Sequence, residues 1–122
     1  AIAFTPWASD KIYVKERVNG TTVELLSDYS VIDGNWHQIC VVATSSVLEL
    51  YVDGSSASST ASRVNASGLV SNSLSHSYMT KAVNKSDCVA GDLGIVRFYM
   101  DKALSASEVT QNFNANKSRF GL

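Results

Sequence analysis

The sequence predicts an all-β fold, an antiparallel β-sandwich that carries one short helix near its C-terminus. The main observation is a pair of apolar-rich runs, residues 39–43 and 47–52, joined by a short connection at Ser45 and Ser46. Side chains of a strand alternate between two faces, so pairing of these runs gives one wholly apolar face, as a β-core requires. The register pairs Ala43 with Leu48, Val41 with Leu50, and Ile39 with Val52. The other face is mixed and carries Gln38, Cys40, Val42, Glu49, Tyr51 and Asp53.

A second hairpin is predicted at residues 12–18 and 21–26, which flank Asn19 and Gly20. Asn-Gly is a strong hairpin signal because both residues tolerate positive φ at the turn. The pairing makes one cross-strand ion pair and one apolar pair, which are contacts that stabilise an antiparallel sheet. The predicted partners are Lys15 with Glu24 and Val14 with Leu25.

Further strands are predicted at residues 1–7, 63–70, 76–83 and 94–100, the last of them well buried. Residues 54–62 are small and mostly polar, which is typical of a loop. A count of roughly seven or more short strands along one chain is that of a β-sandwich.

One helix is predicted, and it follows the last strand. Ser105 and Glu108 have the spacing of a capping box, and the residues around them form a hydrophobic staple, Leu104 with Val109. Val109 and Phe113 lie four residues apart, which places both on one face of the helix. We expect this short apolar stripe to dock on an edge or an end of a sheet.

Composition limits the classes of partner. The 122 residues suffice for one domain with its own core, and residues 1–122 are predicted to form it. Ten basic and eleven acidic residues give a net charge of −1, so charge favours neither nucleic acid nor an anionic membrane. No apolar run reaches the roughly 18–20 residues that a membrane span needs, and no signal-peptide pattern is visible. Motifs for phosphate, metal or cofactor binding are absent from the sequence, so no cofactor is predicted.

Two segments resemble one group of known domains. Residues 33–37 (DGNWH) and then 48–54 (LELYVDG) resemble the hairpin of laminin G-like, concanavalin A-like and pentraxin-like jelly rolls. Residues 91–99 (GDLGIVRFY) and then 103–109 (ALSASEV) resemble the closing segment of the same families. Order and spacing agree over about residues 20–122, so the resemblance implies a jelly roll of the laminin G and concanavalin A type.

The calcium site of pentraxin-type domains is not expected in this chain. Pentraxin-type domains hold calcium through Glu, Gln and Asp side chains that precede the closing strand. The corresponding residues 76–87 contain one carboxylate and two lysines, a poor set for a cation that takes about six to eight oxygen ligands. The chain is either a compact version of such a domain or the C-terminal part of a larger polypeptide. Residues 111–122 resemble the endings of jelly rolls in phage and other virion surface proteins.

Two covalent features have open alternatives. Cys40 and Cys88 are either two separate, half-buried thiols or a disulfide of the kind that persists outside the cell. The partner cysteine of pentraxin-type domains lies further upstream, so Cys88 is not its equivalent. Four Asn-x-Ser/Thr triplets permit N-glycosylation in a secreted protein, at Asn19, Asn65, Asn84 and Asn116.

No catalytic site is predicted. A glycosidase needs two carboxylates that face each other across a cleft, and the nearest pattern is Glu49 with Asp53 on the mixed face. These residues fit better as a solvated side chain and a turn aspartate. His37 has no serine or cysteine partner at a recognisable spacing, and His76 lies in a serine-rich loop. Both histidines are therefore predicted to be structural or solvent-exposed.

The function predicted from the sequence is binding without catalysis. Jelly rolls often stack sugars on aromatic side chains, although core packing is the alternative for each aromatic residue. Trp36 is predicted to be a structural anchor, and the contact residues are expected in loops 54–62 and 71–87. The candidate ligand-binding residues are Trp7, Tyr29, Tyr51 and Tyr78.

By resemblance, the chain is a surface or adhesion module for a glycan or protein ligand, outside the cell or on a virion surface. The alternative is a purely structural domain of a virion decoration, tail or fibre, or of an extracellular filament, in contact with neighbouring subunits. A third reading is a glycosidase-derived domain, which requires two carboxylates about 5–10 Å apart across a cleft. A fold alone does not decide among these functions.

Overall fold

A computed structural model shows two antiparallel sheets and a C-terminal helix. It describes residues 2–6, 10–18, 21–58, 60–63, 92–99 and 101–122. The strands are β1 (Ile2–Pro6), β2 (Ile12–Val18), β3 (Thr21–Leu26), β4 (Ile39–Ala43), β5 (Val47–Val52), β6 (Ser55–Ser56) and β7 (Ala61–Ser62). Helix α1 (Ala106–Asn116) leads directly into a 3-10 helix, Lys117–Phe120.

Both predicted hairpins form in the predicted register. The first sheet has the order β1-β2-β3, and β2 pairs with β3 so that Val14 lies opposite Leu25. Lys15 lies opposite Glu24 in that register, and the two side chains form an exposed ion pair at 3.3 Å. In the second sheet, β4 pairs with β5 through all three apolar pairs that the sequence predicted.

Residues 54–62 correct one prediction, because they are part of the second sheet instead of a free loop. Strands β6 and β7 both pair with β5, and they therefore share the edge of β5 that β4 does not occupy. Between them, Ala57 is fully buried and its N–H donates to the carbonyl of Leu50 at 2.9 Å. Small side chains allow this segment to lie close against the sheet, and they hide its strand pattern in the sequence.

The main core lies between the two sheets, which makes the fold a sandwich. It contains apolar side chains from β2 and β3 on one side and from β5 on the other. Val31 and Ala57 close it from the connecting segments. The buried members are Ile12, Val14, Leu25, Val31, Leu48, Leu50, Val52 and Ala57.

A buried ion pair crosses this core. Arg63, directly after β7, donates through Nε and Nη2 to the two carboxylate oxygens of Glu16 in β2, both at 2.6 Å. The side chains are only 4% and 1% exposed, so neither charge has access to water. A bidentate guanidinium–carboxylate pair satisfies both groups and fixes the two sheets relative to each other.

Helix α1 packs on the outer face of the second sheet, where the sequence predicted an edge or an end. The predicted capping box of Ser105 and Glu108 is present. Val109 is 1% exposed and packs with Val42 and Tyr51 in a second cluster. The partly buried members of this cluster are Cys40 and Leu104. The mixed face of the β4–β5 hairpin is therefore the docking surface for the helix, because its residues Cys40, Val42 and Tyr51 form one cluster with Val109.

The strand predicted at residues 94–100 is also corrected. Residues 92–99 pair with none of the described strands and are exposed to solvent. Their contacts lie with the C-terminal helices: Arg97 donates to Asn116 at 3.3 Å, and Gly94 lies under the ring of Phe120. Without a hydrogen-bonding neighbour among the described strands, residues 92–99 do not form a strand. The strands predicted at residues 63–70 and 76–83 lie outside the described residues, except for residue 63.

Gly54→Ala is expected to destabilise the protein by about 2 kcal/mol, more than Gly34→Ala. Both glycines have positive φ, 79° and 85°, so both substitutions introduce similar backbone strain. A Cβ on Gly54 would also lie 3.0 Å from Cβ of Phe113 and 3.2 Å from Cα of Thr110, whereas one on Gly34 meets nothing within 4 Å. Urea unfolding of both variants measures the difference. Equal losses would contradict the close contact between α1 and the β5–β6 turn.

Candidate functional site

A shallow groove of about 280 Å³ lies between residues 99–104 and one face of α1. The helix residues of its lining are Glu108, Gln111, Asn112 and Ala115. These positions are spaced i, i+3, i+4 and i+7, so they form one continuous face of the helix. The opposite wall consists of Tyr99, Lys102 and Leu104.

Hydrogen bonds fix the polar side chains of the groove. Asn112 Nδ2 donates to the hydroxyl of Tyr99 at 3.1 Å, which holds a tyrosine that is 45% exposed against the helix. Lys102 forms an ion pair with Glu108, whose second oxygen accepts from the Ser105 N–H at 2.9 Å. The Lys102 hydrogen bond and then the Ser105 N–H lower the pKa of Glu108 to about 2. The two charges therefore neutralise each other, and the groove offers a ring, a hydroxyl and amides to a ligand.

A second polar cluster lies at the β5–β6 turn. His37 contacts two carboxylates, with Nδ1 at 2.7 Å from Asp53 Oδ2 and Nε2 at 3.0 Å from Asp33 Oδ1. Asp53 Oδ1 accepts from the backbone N–H of Gln38 at 2.8 Å, and the N–H of Asp53 donates to the Gln38 carbonyl at 2.9 Å. This cluster, Asp33, His37 and Asp53, is called the His37 clamp below.

The backbone places each member of the clamp. Asp53 and Gly54 have φ of 51° and 79°, the two consecutive positive values of a type I′ turn between β5 and β6. Asp33 Oδ1 accepts from the N–H of Asn35 at 2.9 Å, which is an Asx turn at the start of the DGNWH segment. Thr110 Oγ1 of α1 donates to the carbonyl of Gly54 at 2.6 Å, so the turn is also fixed to the helix.

The hydrogen bonds of the clamp stabilise the charged forms of His37 and Asp33. Burial alone would lower the pKa of His37, but the hydrogen bonds to Asp53 and then Asp33 outweigh it, and the pKa is raised above 6.5. Hydrogen bonds from Asn35 and then His37 lower the pKa of Asp33 to about 2. Since both ring nitrogens are occupied by carboxylates, His37 has no nitrogen with which to activate a nucleophile. This geometry supports the structural role predicted for it.

The predicted ligand-binding aromatics are not brought together. Tyr51 is 6% exposed and packs against Val42 and Val109, so it is a core residue, which was the alternative to a ligand contact for each aromatic residue. Tyr29 is 43% exposed and stays a candidate. Burial first, and then the charge of Asp53, raises the pKa of its hydroxyl. Trp7 and Tyr78 lie outside the described residues.

Trp36 forms a contact that the sequence did not indicate. It was predicted to anchor the entry to β4, yet it is 39% exposed and lies before that strand. Its ring packs against Phe120 with a centroid distance of 4.9 Å. The anchor therefore connects the DGNWH segment to the C-terminal 3-10 helix instead of filling the sandwich core.

The covalent predictions are only partly within the described residues. Cys40 is half-buried, and burial raises the pKa of its thiol. Cys88 lies outside the described residues, so separate thiols and a disulfide both stay predictions. Asn116 lies at the end of α1, where its Nδ2 donates to the carbonyl of Asn112 at 2.7 Å. The other candidate asparagines, Asn19, Asn65 and Asn84, are outside the described residues.

The two carboxylates considered for catalysis have other partners in the described ranges. Glu49 accepts from the hydroxyl of Tyr51 at 3.4 Å, and Asp53 is the turn residue of the His37 clamp, so neither carboxylate borders the groove. No three His, Cys, Asp or Glu side chains in those ranges lie together as metal ligands. None of the described helices has the length and apolar character to cross a membrane.

Sequence reasoning missed the groove because its residues are ordinary helix-surface residues. Gln111 and Asn112 lie in the segment that resembles the endings of virion jelly rolls, and Tyr99 lies in the buried strand predicted at residues 94–100. The available signal was the i, i+3, i+4, i+7 spacing of residues 108–115 with an aromatic residue shortly before the helix.

The two packed antiparallel sheets, with a capped helix on the outer face, define a lectin-like β-sandwich. Residues 2–110 match the family model of the concanavalin A-like lectin/glucanases superfamily. The chain belongs to this superfamily, as the resemblance of its two motifs implied. Comparison with curated proteins and with solved structures gave no significant match. Laminin G-like domains are typically extracellular and generally non-catalytic.

Proposed function

We propose that this domain is a non-catalytic surface module, extracellular or on a virion, that binds a glycan in the groove along α1. The observation that carries the proposal is the exposed Tyr99, fixed by Asn112 beside the free amide of Gln111. A protein ligand at the same surface is the alternative within this proposal.

The chemistry of the groove suits a neutral sugar. A sugar ring presents C–H groups on one face, which pack on an aromatic ring, and hydroxyls around its edge, which need donors and acceptors. Tyr99 supplies the ring, while Gln111 and Asn112 supply amide groups that both donate and accept. Because Lys102 and Glu108 already pair with each other, an anionic ligand would have to separate them.

Binding without cleavage follows from where the carboxylates lie. Glycoside hydrolysis uses two carboxyl groups on either side of the scissile bond. Glu108 is the single carboxylate among the described residues that line the groove, and its oxygens are held by Lys102 and Ser105. A bound sugar would therefore meet no pair of acid and base.

The test uses a substitution that fills the groove without removing any of its hydrogen bonds. Ala115→Arg is expected to weaken binding of the best ligand from an oligosaccharide array at least tenfold, about 1.4 kcal/mol, measured by calorimetry. Asn114→Arg is the matched control, because Asn114 is exposed on the same helix but does not line the groove. Its affinity should equal that of the unmodified chain.

Each outcome has a definite meaning. Equal binding by both variants would place the ligand elsewhere and contradict the groove. If the chain binds neither glycan nor protein but associates with itself as concentration rises, the purely structural alternative is correct. One observation favours that alternative, namely the exposed apolar side chains of residues 93–99, of which Leu93 is 58% and Phe98 64% exposed.

A further inference from the structure

Both ring nitrogens of His37 face carboxylate oxygens, at 2.7 Å and 3.0 Å. A neutral imidazole has one N–H donor and one nitrogen lone pair, whereas an imidazolium has two donors. Only the charged form can therefore make both contacts. In the neutral form, one nitrogen lone pair would point at an ionised carboxylate, which is repulsive.

The two contacts are not equivalent. The contact to Asp53 is the shorter one, and the Asp53 side chain is 30% exposed against 45% for Asp33. Asp53 is also held by the N–H of Gln38 within a hydrogen-bonded turn. Asp33 keeps its bond from the Asn35 N–H whether or not His37 contacts it. Loss of one proton from His37 should therefore leave the hydrogen on Nδ1 and release Asp33.

We propose that His37 is a protonation-dependent latch that ties the segment 33–36 to the β5–β6 turn and releases it when the ring loses a proton. The fixed side of the latch is anchored to α1 through Thr110 and the Gly54 carbonyl. The released side carries Trp36 and its contact with Phe120. Protonation thus decides whether the exposed segment 33–36 is tied to the β5–β6 turn.

The charged groups around the ring set the direction of the response. Asp33 faces it from its own segment and Asp53 from the β5–β6 turn. Burial first, and then the charges of Asp53 and Asp28, raise the pKa of the Tyr29 hydroxyl, so it remains neutral beside the clamp. The raised pKa of His37 agrees with two facing carboxylates. The contribution of His37 to stability is fully present below pH 6.5 and is lost as pH rises through its raised pKa. The contribution of Asp33 is lost at the acid end, as pH falls towards its pKa of about 2.

Nitrogen NMR of the full chain, labelled at histidine and backbone amides, tests the latch directly. His76→Gln assigns the two histidines. We expect the His37 ring to titrate above 6.5 and to become the Nδ1–H tautomer on the alkaline side. The heteronuclear NOE of residues 34–36 and of the Trp36 indole should fall at the same midpoint, while that of Gln38 and Gly54 stays constant.

Two variants separate a latch from a merely local titration. Asp33→Asn removes the released charge, so the His37 midpoint should shift downward and residues 34–36 should be mobile at every pH. Asp28→Asn removes a nearby exposed carboxylate that does not contact the ring, and it should leave both readouts unchanged. An Nε2–H tautomer, a midpoint at or below 6.5, or an NOE of residues 34–36 that does not change with pH would each overturn the proposal.

Discussion

Glu16→Ala is expected to lower the free energy of unfolding by about 3 to 5 kcal/mol, the largest effect of any single substitution considered. The substitution removes the carboxylate and leaves the Arg63 guanidinium, 4% exposed, without a partner inside the sandwich. A buried charge without a partner is strongly destabilising because the desolvation penalty is no longer offset by the ion pair. Urea unfolding followed by circular dichroism measures the change.

Two controls identify burial as the cause. Lys15→Ala removes one partner of the exposed pair with Glu24, one position before Glu16 on the same strand, and it should change stability far less. Replacing both buried partners by methionine removes both charges and keeps most of the volume. That double variant should be within about 1 kcal/mol of the unmodified chain. If Glu16→Ala and Lys15→Ala had equal effects, the pair would not be buried in solution.

The sequence predicts well those parts of the fold in which the alternation of apolar and polar residues determines how two strands pair. A shift of one residue between β4 and β5 would move Leu48, Leu50 and Val52 from the core face to the outer face, so their register has a single solution. The capping box of Ser105 and Glu108 is equally local, since its hydrogen bonds span only three residues.

Long-range docking was harder to predict. The mixed face of the β4–β5 hairpin contains Cys40, Val42 and Tyr51 beside polar residues, and this composition fits a solvated face as well as a helix-covered one. Whether Val109 reaches it depends on where the chain returns after β7, which no local pattern specifies. The partner of Glu16 was unpredictable for the same reason, because Arg63 lies 47 residues further along the chain.

The residues of the candidate site were also hard to predict, because long-range contacts bring them together. Residue type singled out Tyr51, but burial decides whether an aromatic side chain can contact a ligand, and burial here depends on the docking of α1. Tyr99 and Asn112 are 13 residues apart and meet through a hydrogen bond between side chains. The His37 clamp joins two residues of the DGNWH segment to Asp53, which lies 16 residues after His37 along the chain.

Tyr51→Ala is expected to destabilise the protein by about 3 kcal/mol, the second-largest effect, because it empties the centre of the cluster beneath α1. Tyr51 is 6% exposed and contacts Val42 and Val109. Its removal takes away the aromatic surface on which the helix docks, and it leaves a cavity that the sheet backbone cannot close. Urea unfolding monitored by circular dichroism measures the loss.

Two tyrosine variants distinguish this packing role from a ligand contact. Tyr51→Phe keeps the ring and removes only the 3.4 Å bond to Glu49, so it should change stability by about 1 kcal/mol or less and leave glycan binding intact. Tyr29→Ala truncates a ring that is 43% exposed and should change stability by about 0.5 kcal/mol at most. If Tyr51→Ala unfolded no more easily than Tyr29→Ala, α1 would not be docked on this face. The groove would then lack its helix wall, because the four helix residues that line it lie on the same helix as Val109, which packs against the sheet.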